Sequence, residues 1–189
     1  LGGAIGDALG VPFESKPADN PLLLSWDQKT FLGSEHHNLK PGQFSDDTQF
    51  SLTIAQSLID NNGFDPDDLS KRYLELFTSN TIRGYGKTTY QAIQNLKNGA
   101  SYKESGIPGS FGNGTAMRAA PFGIFFRDDL SALYNAVIVD SDMTHASSEA
   151  RAGALAVAFA IAFILQGMDF KDLIENILLE IREDTFSFV

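Results

Sequence analysis

The 189-residue chain contains no cysteine. That absence excludes disulfides, thiolate metal sites and a cysteine nucleophile, and it is compatible with a reducing compartment, so a cytoplasmic location is expected. Positive charge is also scarce: 14 Lys and Arg stand against 24 Asp and Glu, a formal net charge of −10. A field of that sign opposes long-range attraction of nucleic acid and of anionic membranes, so neither is expected as a partner. Any anionic ligand has to be held by local devices. Long apolar runs are nearly missing. The single one, residues 152–165, has 14 residues where a bilayer span needs ~20, and it reads as a buried helix. No secretory leader pattern is visible, and no convincing strand-type alternation of apolar and polar residues appears.

What is present is enough for a core: 43% hydrophobic residues, 15 Phe among them, and only 20% charged. The length suits one domain. The chain opens on Leu1-Gly2-Gly3-Ala4-Ile5-Gly6-Asp7, small residues already at helical spacing and without an initiator Met, so it is expected to begin inside an element. Pro12 ends that first helix and leaves Phe13-Glu14-Ser15 in a loop. Residues 16–45, with Pro17, Pro21, Gly33, Pro41 and Gly42, read as a long irregular segment. Helical periodicity then takes over. The spacing predicts a helix from Ser45 to the stop at Gly63, and a second from Asp65-Pro66, where Asp caps and Pro takes the first turn. Further helices are predicted over 89–97, over 115–120 as far as Pro121, and over 129–140, 147–166 and 169–182. A glycine-rich stretch covers 106–114. The expectation is a compact all-α, multi-helix domain over residues 1–189, with no internal repeat, low-complexity tract or domain boundary.

Three places carry chemistry-bearing residues. Phe44-Ser45-Asp46-Asp47-Thr48-Gln49 stands at the entrance of a strong amphipathic helix. Ser45 or Asp46 can cap that helix, and an acidic first turn complements its dipole. The same carboxylates, pointing about 100° apart, are poorly placed to chelate one ion but well placed to serve two, with hydroxyls of Ser45 or Thr48 as extra oxygen ligands. The donor count is short, and Glu14 is one candidate to extend it. In Gly109-Ser110-Phe111-Gly112-Asn113-Gly114, ahead of Arg118, backbone N–H groups can converge on an anion, although the stretch reads equally as a flexible interhelical loop. It is not a Walker loop, because no Gly-Lys-Ser/Thr follows. Arg118 can supply a fixed charge or pair with an acidic residue of the core. His145, just before the long apolar helix, can act as a neutral donor, its charged form disfavoured by the helix N-terminus, or serve in capping or packing. The pair His36-His37 reads as solvated.

Taken in order, Gly2-Gly-Ala-Ile-Gly-Asp-Ala-Leu-Gly-Val-Pro-Phe-Glu14, Phe44-Ser-Asp-Asp-Thr-Gln49, Gly112-Asn-Gly-Thr-Ala-Met-Arg118 and Thr144-His-Ala146 resemble the ADP-ribosylglycohydrolase family, including the bacterial dinitrogenase reductase-activating glycohydrolases. The resemblance covers essentially the whole chain. It implies an all-α domain with a binuclear Mg²⁺ centre between helices, Mn²⁺ being the alternative. The implied reaction is hydrolysis of the N- or O-glycosidic bond between ADP-ribose and an acceptor, in an ADP-ribosylated protein or a related ADP-ribose conjugate. By position, Ser45, Asp46 and Asp47 match the family's metal ligands, and Glu14, Asp46 and Asp47 its catalytic carboxylates. Gly109, Ser110, Phe111, Gly112 and Asn113 match the loop that holds the diphosphate and distal ribose, and His145 a ligand-contacting histidine.

One departure is large. The family's second metal motif, of the form Gly-Gly-Asp-Thr-Asp-Thr, has no counterpart here; Asp184-Thr185 is not a substitute, and Thr185-Phe-Ser-Phe-Val189 looks like the approach to a further helix. A domain truncated at both ends is therefore expected, a monomer with little or no activity in isolation. Apolar faces at 152–165 and 173–181 are expected to be exposed. The alternatives are a non-catalytic ADP-ribose-binding or structural relative, and a helical fragment whose glycine loop binds another phosphate ligand.

Overall fold

The structure, a computed structural model, describes residues 1–181. Helix α1 (Gly2–Gly10) runs into a single 3₁₀ turn, Val11–Phe13, where Pro12 occupies a position that needs no N–H donor. The segment expected to be irregular contains a short helix, α2 (Pro21–Ser25), started by the Asn20 side chain on the Leu22 N–H and by Pro21 in the first turn. Asn-Pro at a helix start is a legible signal, but five residues are too few to show an apolar period.

The regular part follows the predicted pattern with one correction. Helices α3 (Asp46–Asp60), α4 (Pro66–Thr78) and α5 (Lys87–Lys97) come first; Asp65 caps α4 by accepting from the Asp67 and Asp68 N–H groups. Next, Pro121 does not end a helix. Residues Ala116–Arg118 form a 3₁₀ turn, and α6 (Ala120–Phe125) begins with Pro121 in its first turn, where its missing N–H is harmless. Then come α7 (Leu130–Asp142), α8 (Ser148–Leu165) and α9 (Phe170–Glu180), with Asp129 and Ser147 capping α7 and α8. The 182 end of the last predicted helix, Asp184-Thr185 and the 185–189 stretch lie outside the described residues.

The only strands among the described residues are β1 (Ile107–Pro108) and β2 (His145–Ala146), paired in parallel with Ile107 opposite His145 and Pro108 opposite Ala146. Two residues cannot show an alternating pattern. The pairing nonetheless ties the start of the glycine loop to the histidine, 38 positions apart.

Helix α8 is the centre of the packing. At 18 residues and mean hydropathy 1.7 it is long and apolar enough to cross a membrane by length and composition alone. Here Leu155, Ala158, Phe159 and Ala162 are fully buried among α6, α7 and α9. Small residues let its neighbours come close: a Cβ on Gly123 of α6 would stand 2.3 Å from the Ala158 carbonyl oxygen. The same core takes in Phe50, Ile54 and Leu58 from α3 and Leu69 and Tyr73 from α4, with the Phe50 and Tyr73 rings edge to face at 4.8 Å. The outer side of α9 is bare, with Phe170, Ile174, Leu178 and Leu179 exposed.

Candidate active site

A cleft of about 640 Å³ lies where α1, the first turn of α3, the start of α5, the glycine loop and β2 meet. Its position follows from the caps. The α3 N-terminus carries unpaired N–H groups and the positive end of its dipole, and Asp7 of α1 supplies the counter-charge. The Ser45 N–H donates to both Asp7 oxygens at 3.0 and 2.9 Å, and its hydroxyl donates to Oδ1 at 2.8 Å. Thr48 adds its N–H at 3.2 Å and its hydroxyl at 2.6 Å, both to Oδ2. Ser45 caps α3 as expected, its Oγ accepting from the Asp47 N–H at 3.4 Å, but the shorter bonds belong to Asp7.

That cap draws four carboxylates to one cleft: Asp7, Glu14, Asp46 and Asp47. Asp46 is 5% exposed. Burial, followed by the Asp47 charge, pushes its carboxyl up to about 7. Asp47 rises to about 6, by burial first and then by the charges of Asp7 and Glu14. Lys87 is the one lysine or arginine lining this cleft. Oxygen donors gathered without adequate counter-charge fit a hard divalent cation in chemical kind. They fall short in number, because among the described residues no three His, Asp or Glu side chains stand close enough together to enclose an ion.

Glu14 leaves the 3₁₀ turn at the rim of the cleft. Its Oε2 is 2.6 Å from His37 Nε2. His37 is therefore not the solvated residue its polar surroundings suggest: its side chain is 13% exposed, against 54% for Glu14. The sequence around it is loop-like, and only the chain path over residues 34–39, closed by the Ser34–Leu39 bridge, brings it to Glu14.

The opposite wall is Gly112, Asn113, Gly114, Met117 and His145. A Cβ at Gly114 would stand 2.5 Å from His145 Cε1, so glycine is required for the loop to lie against the ring. His145 is buried, and burial, with Arg118 second, lowers its pKa to about 4. A neutral imidazole is thus favoured by desolvation first, rather than by the helix N-terminus. Gly109, Ser110 and Phe111 do not line the cleft. Gly109 has φ +67°, Ser110 donates its hydroxyl to Thr88 Oγ1 at 3.1 Å, and Phe111 is 78% exposed. Arg118 also stays out of it, ion-paired in the core with Asp140 at 2.9 Å.

A family model described as ADP-ribosylglycohydrolase matches residues 1–187. The chain belongs to the ADP-ribosylglycohydrolase family. Similar sequences include an uncharacterized protein of Archaeoglobus fulgidus, 32% identical over 96% of this chain and 59% of its own length. The ADP-ribosylhydrolase ARH3 of Danio rerio is 30% identical over 97% of this chain and 51% of its own. The ADP-ribosylarginine hydrolase Tri1 of Serratia proteamaculans is 29% identical over 88% and 46%. A solved structure described as an ADP-ribosylglycohydrolase-related protein complex superposes with a TM-score of 0.75 at 30% identity, covering 92% of this chain and 56% of the other. The chain thus spans about half the length of the relatives it matches.

Within this family fold, Glu14, Ser45, Asp46, Asp47, Gly112, Asn113 and His145 line one cleft. Two charged cleft residues were missed. Asp7 is a lone acid in a run of small residues, and nothing in its spacing announces that it meets a helix starting 39 positions later. Lys87, one residue past the Gly86 cap of α5, looks like any surface lysine.

Proposed function

We propose that this chain forms the ADP-ribose cleft of a hydrolase that cleaves the glycosidic bond between ADP-ribose and an acceptor side chain, or a related ADP-ribose conjugate. The observation that carries the reading is the cleft itself: mutually repelling carboxylates, Asp46 buried and Asp47 half-buried, on one wall face a glycine loop and a neutral histidine on the other. The names of the Danio rerio and Serratia relatives support the same chemistry.

Asp46 and Asp47, with the Ser45 hydroxyl, are the residues that would hold Mg²⁺ or Mn²⁺, with two ions expected. When bound, the metal supplies Lewis acidity toward ribose hydroxyls and positive charge against the diphosphate. Glu14, held at the rim by His37, orients the attacking water and accepts its proton. The water oxygen bonds to the anomeric carbon, the bond from that carbon to the acceptor nitrogen or oxygen breaks, and the proton Glu14 took from the water passes to the departing acceptor. Gly112 and Asn113 fit the phosphate side of the ligand. A protein of net charge −10 is thereby able to take an anionic substrate through local contacts.

The decisive assay supplies ADP-ribosylated arginine and serine peptides to the complete gene product with Mg²⁺ and measures released ADP-ribose. Turnover that survives Asp46→Asn with Asp47→Asn would sink the assignment. A second reading, a non-catalytic ADP-ribose binder, draws on the incomplete ligand set among the described residues. Calorimetry showing cation-dependent ADP-ribose binding without turnover would select it.

A further inference from the structure

Behind the cleft, close enough to its carboxylate wall for Arg118 to feel the Asp46 charge, lies a buried polar chain. The Tyr73 hydroxyl donates to Asp140 Oδ1 at 2.5 Å, and Arg118 Nε donates to Asp140 Oδ2 at 2.9 Å. Arg118 Nη2 donates twice at 2.9 Å, to the Asp140 carbonyl oxygen and to Thr144 Oγ1. Thr144 Oγ1 is in turn 2.9 Å from His145 Nδ1. Tyr73, Arg118 and Thr144 are 0% exposed, and Asp140 is 1% exposed. The guanidinium is also sandwiched, its carbon 5.1 Å from the Phe50 ring centre and 5.0 Å from that of Tyr73, so its orientation is set from several sides.

Elsewhere in this chain one buried donor, Arg118 Nη1, has no hydrogen-bond partner among the described residues, but proton counting at the threonine has one satisfactory solution. Arginine only donates, so Thr144 Oγ1 accepts from Arg118. The threonine hydroxyl has one proton of its own, and among the described residues its only other hydrogen-bond partner is His145 Nδ1. If Nδ1 carried the proton and donated to Oγ1, the hydroxyl proton would be left buried without an acceptor, which native structures avoid.

We infer that Tyr73, Asp140, Arg118 and Thr144 are positioning residues that lock His145 as the tautomer protonated on Nε2, so that the ring offers the cleft a single N–H donor. The function of that donor rests on the ADP-ribose reading above. The ring edge bearing Nε2 faces the glycine loop, where a Cβ at Gly112 would stand 3.2 Å from Nε2. A fixed donor there selects an acceptor oxygen, phosphate or hydroxyl, and rejects an amine. Burial and the nearby Arg118 keep the ring neutral down to about pH 4, so the two tautomers are the only states in competition at neutral pH.

The test is Thr144→Val, close in shape but without the hydroxyl, beside Thr144→Ser, which keeps it. Nitrogen-15 NMR of the His145 ring in the complete gene product reports the tautomer directly. Calorimetry with ADP-ribose reports what the lock contributes to binding. Expected are a single Nε2–H form in the unmodified protein and in Thr144→Ser, a mixed population in Thr144→Val, and a loss of affinity of about tenfold in Thr144→Val alone. An Nδ1–H signal in the unmodified protein overturns the inference, as does a Thr144→Val protein with the same single tautomer and unchanged affinity. If the unmodified protein does not bind ADP-ribose, the functional reading fails, and the tautomer measurement still decides the lock by itself.

Discussion

Replacing Asp46 with Asn should make the metal-free protein more stable at pH 8, although it removes an acidic residue from a helix first turn. Asp46 is buried, and its carboxyl is raised from 3.8 to about 7. Between those values the folded chain binds more protons than the unfolded one, so this site's contribution to stability falls as pH rises from about 4 to 7 and stays unfavourable above. At ~1.4 kcal/mol per tenfold change in proton affinity, the gap sets a ceiling of about 4 kcal/mol. Burial first and repulsion from Asp47 second set that ceiling, and since Asn relieves both but leaves a polar amide in the same buried place, a gain of about 2 kcal/mol is expected. Losing a favourable charge at the α3 N-terminus costs about 0.3–1 kcal/mol, less than the relief. Urea unfolding followed by circular dichroism, at pH 5 and pH 8 with EDTA, should show the variant ahead at pH 8 and the difference shrinking toward pH 5. Added Mg²⁺ should reverse the order, because a cation at 100 times its Kd stabilises by about 2.7 kcal/mol only a chain that binds it. A variant less stable than the parent at pH 8 in EDTA, with an unchanged pH dependence, would refute the reasoning and leave Asp46 as a plain helix-start residue.

Asp7→Ala should have the opposite sign: it strands the Ser45 and Thr48 donors, and a loss of about 2 kcal/mol is expected in the same urea experiment. Gly123→Ala forces a methyl to 2.3 Å from the Ala158 carbonyl. It should cost about 1–3 kcal/mol, seen as a lower Tm by calorimetry. Gly114→Ala should leave the core intact but displace the His145 ring, so calorimetry should show ADP-ribose affinity reduced by about tenfold or more while the circular dichroism spectrum stays that of the parent.

The helices that were legible are those whose signals are local. Phe50, Ile54 and Leu58 repeat on one face, Asp65-Pro66 starts a helix by its own chemistry, and the Ser45-Asp46-Asp47 corner announces itself by composition. What escaped reading depends on distant partners. Pro121 opens α6 because the 3₁₀ turn of Ala116–Arg118 precedes it, and a proline's role as start or stop is not visible in the proline. His37 is caught by Glu14, 23 positions earlier. Asp7 had no visible task until α1 was laid against α3. Arg118 had two possible partners in the sequence, a ligand or a core acid, and only burial beside Asp140 chose between them.

The same electrostatics constrain how a ligand enters. Asp7, Glu14, Asp46 and Asp47 line the cleft beside Lys87, the one lysine or arginine in its lining, and burial holds His145 neutral. A diphosphate placed among those groups meets repulsion that the glycine loop's N–H dipoles offset only in part. Cation and ADP-ribose should therefore bind with positive coupling, each raising the affinity for the other by the same factor, as linkage requires. Because Asp46 and Asp47 hold protons up to about pH 7 and 6, cation binding in that range must displace them. The coupling should therefore grow from pH 5 to pH 8, and calorimetry in buffers of different ionisation enthalpy should register the released protons. ADP-ribose affinity that is indifferent to both Mg²⁺ and pH over this range would mean that the carboxylate wall does not face the ligand.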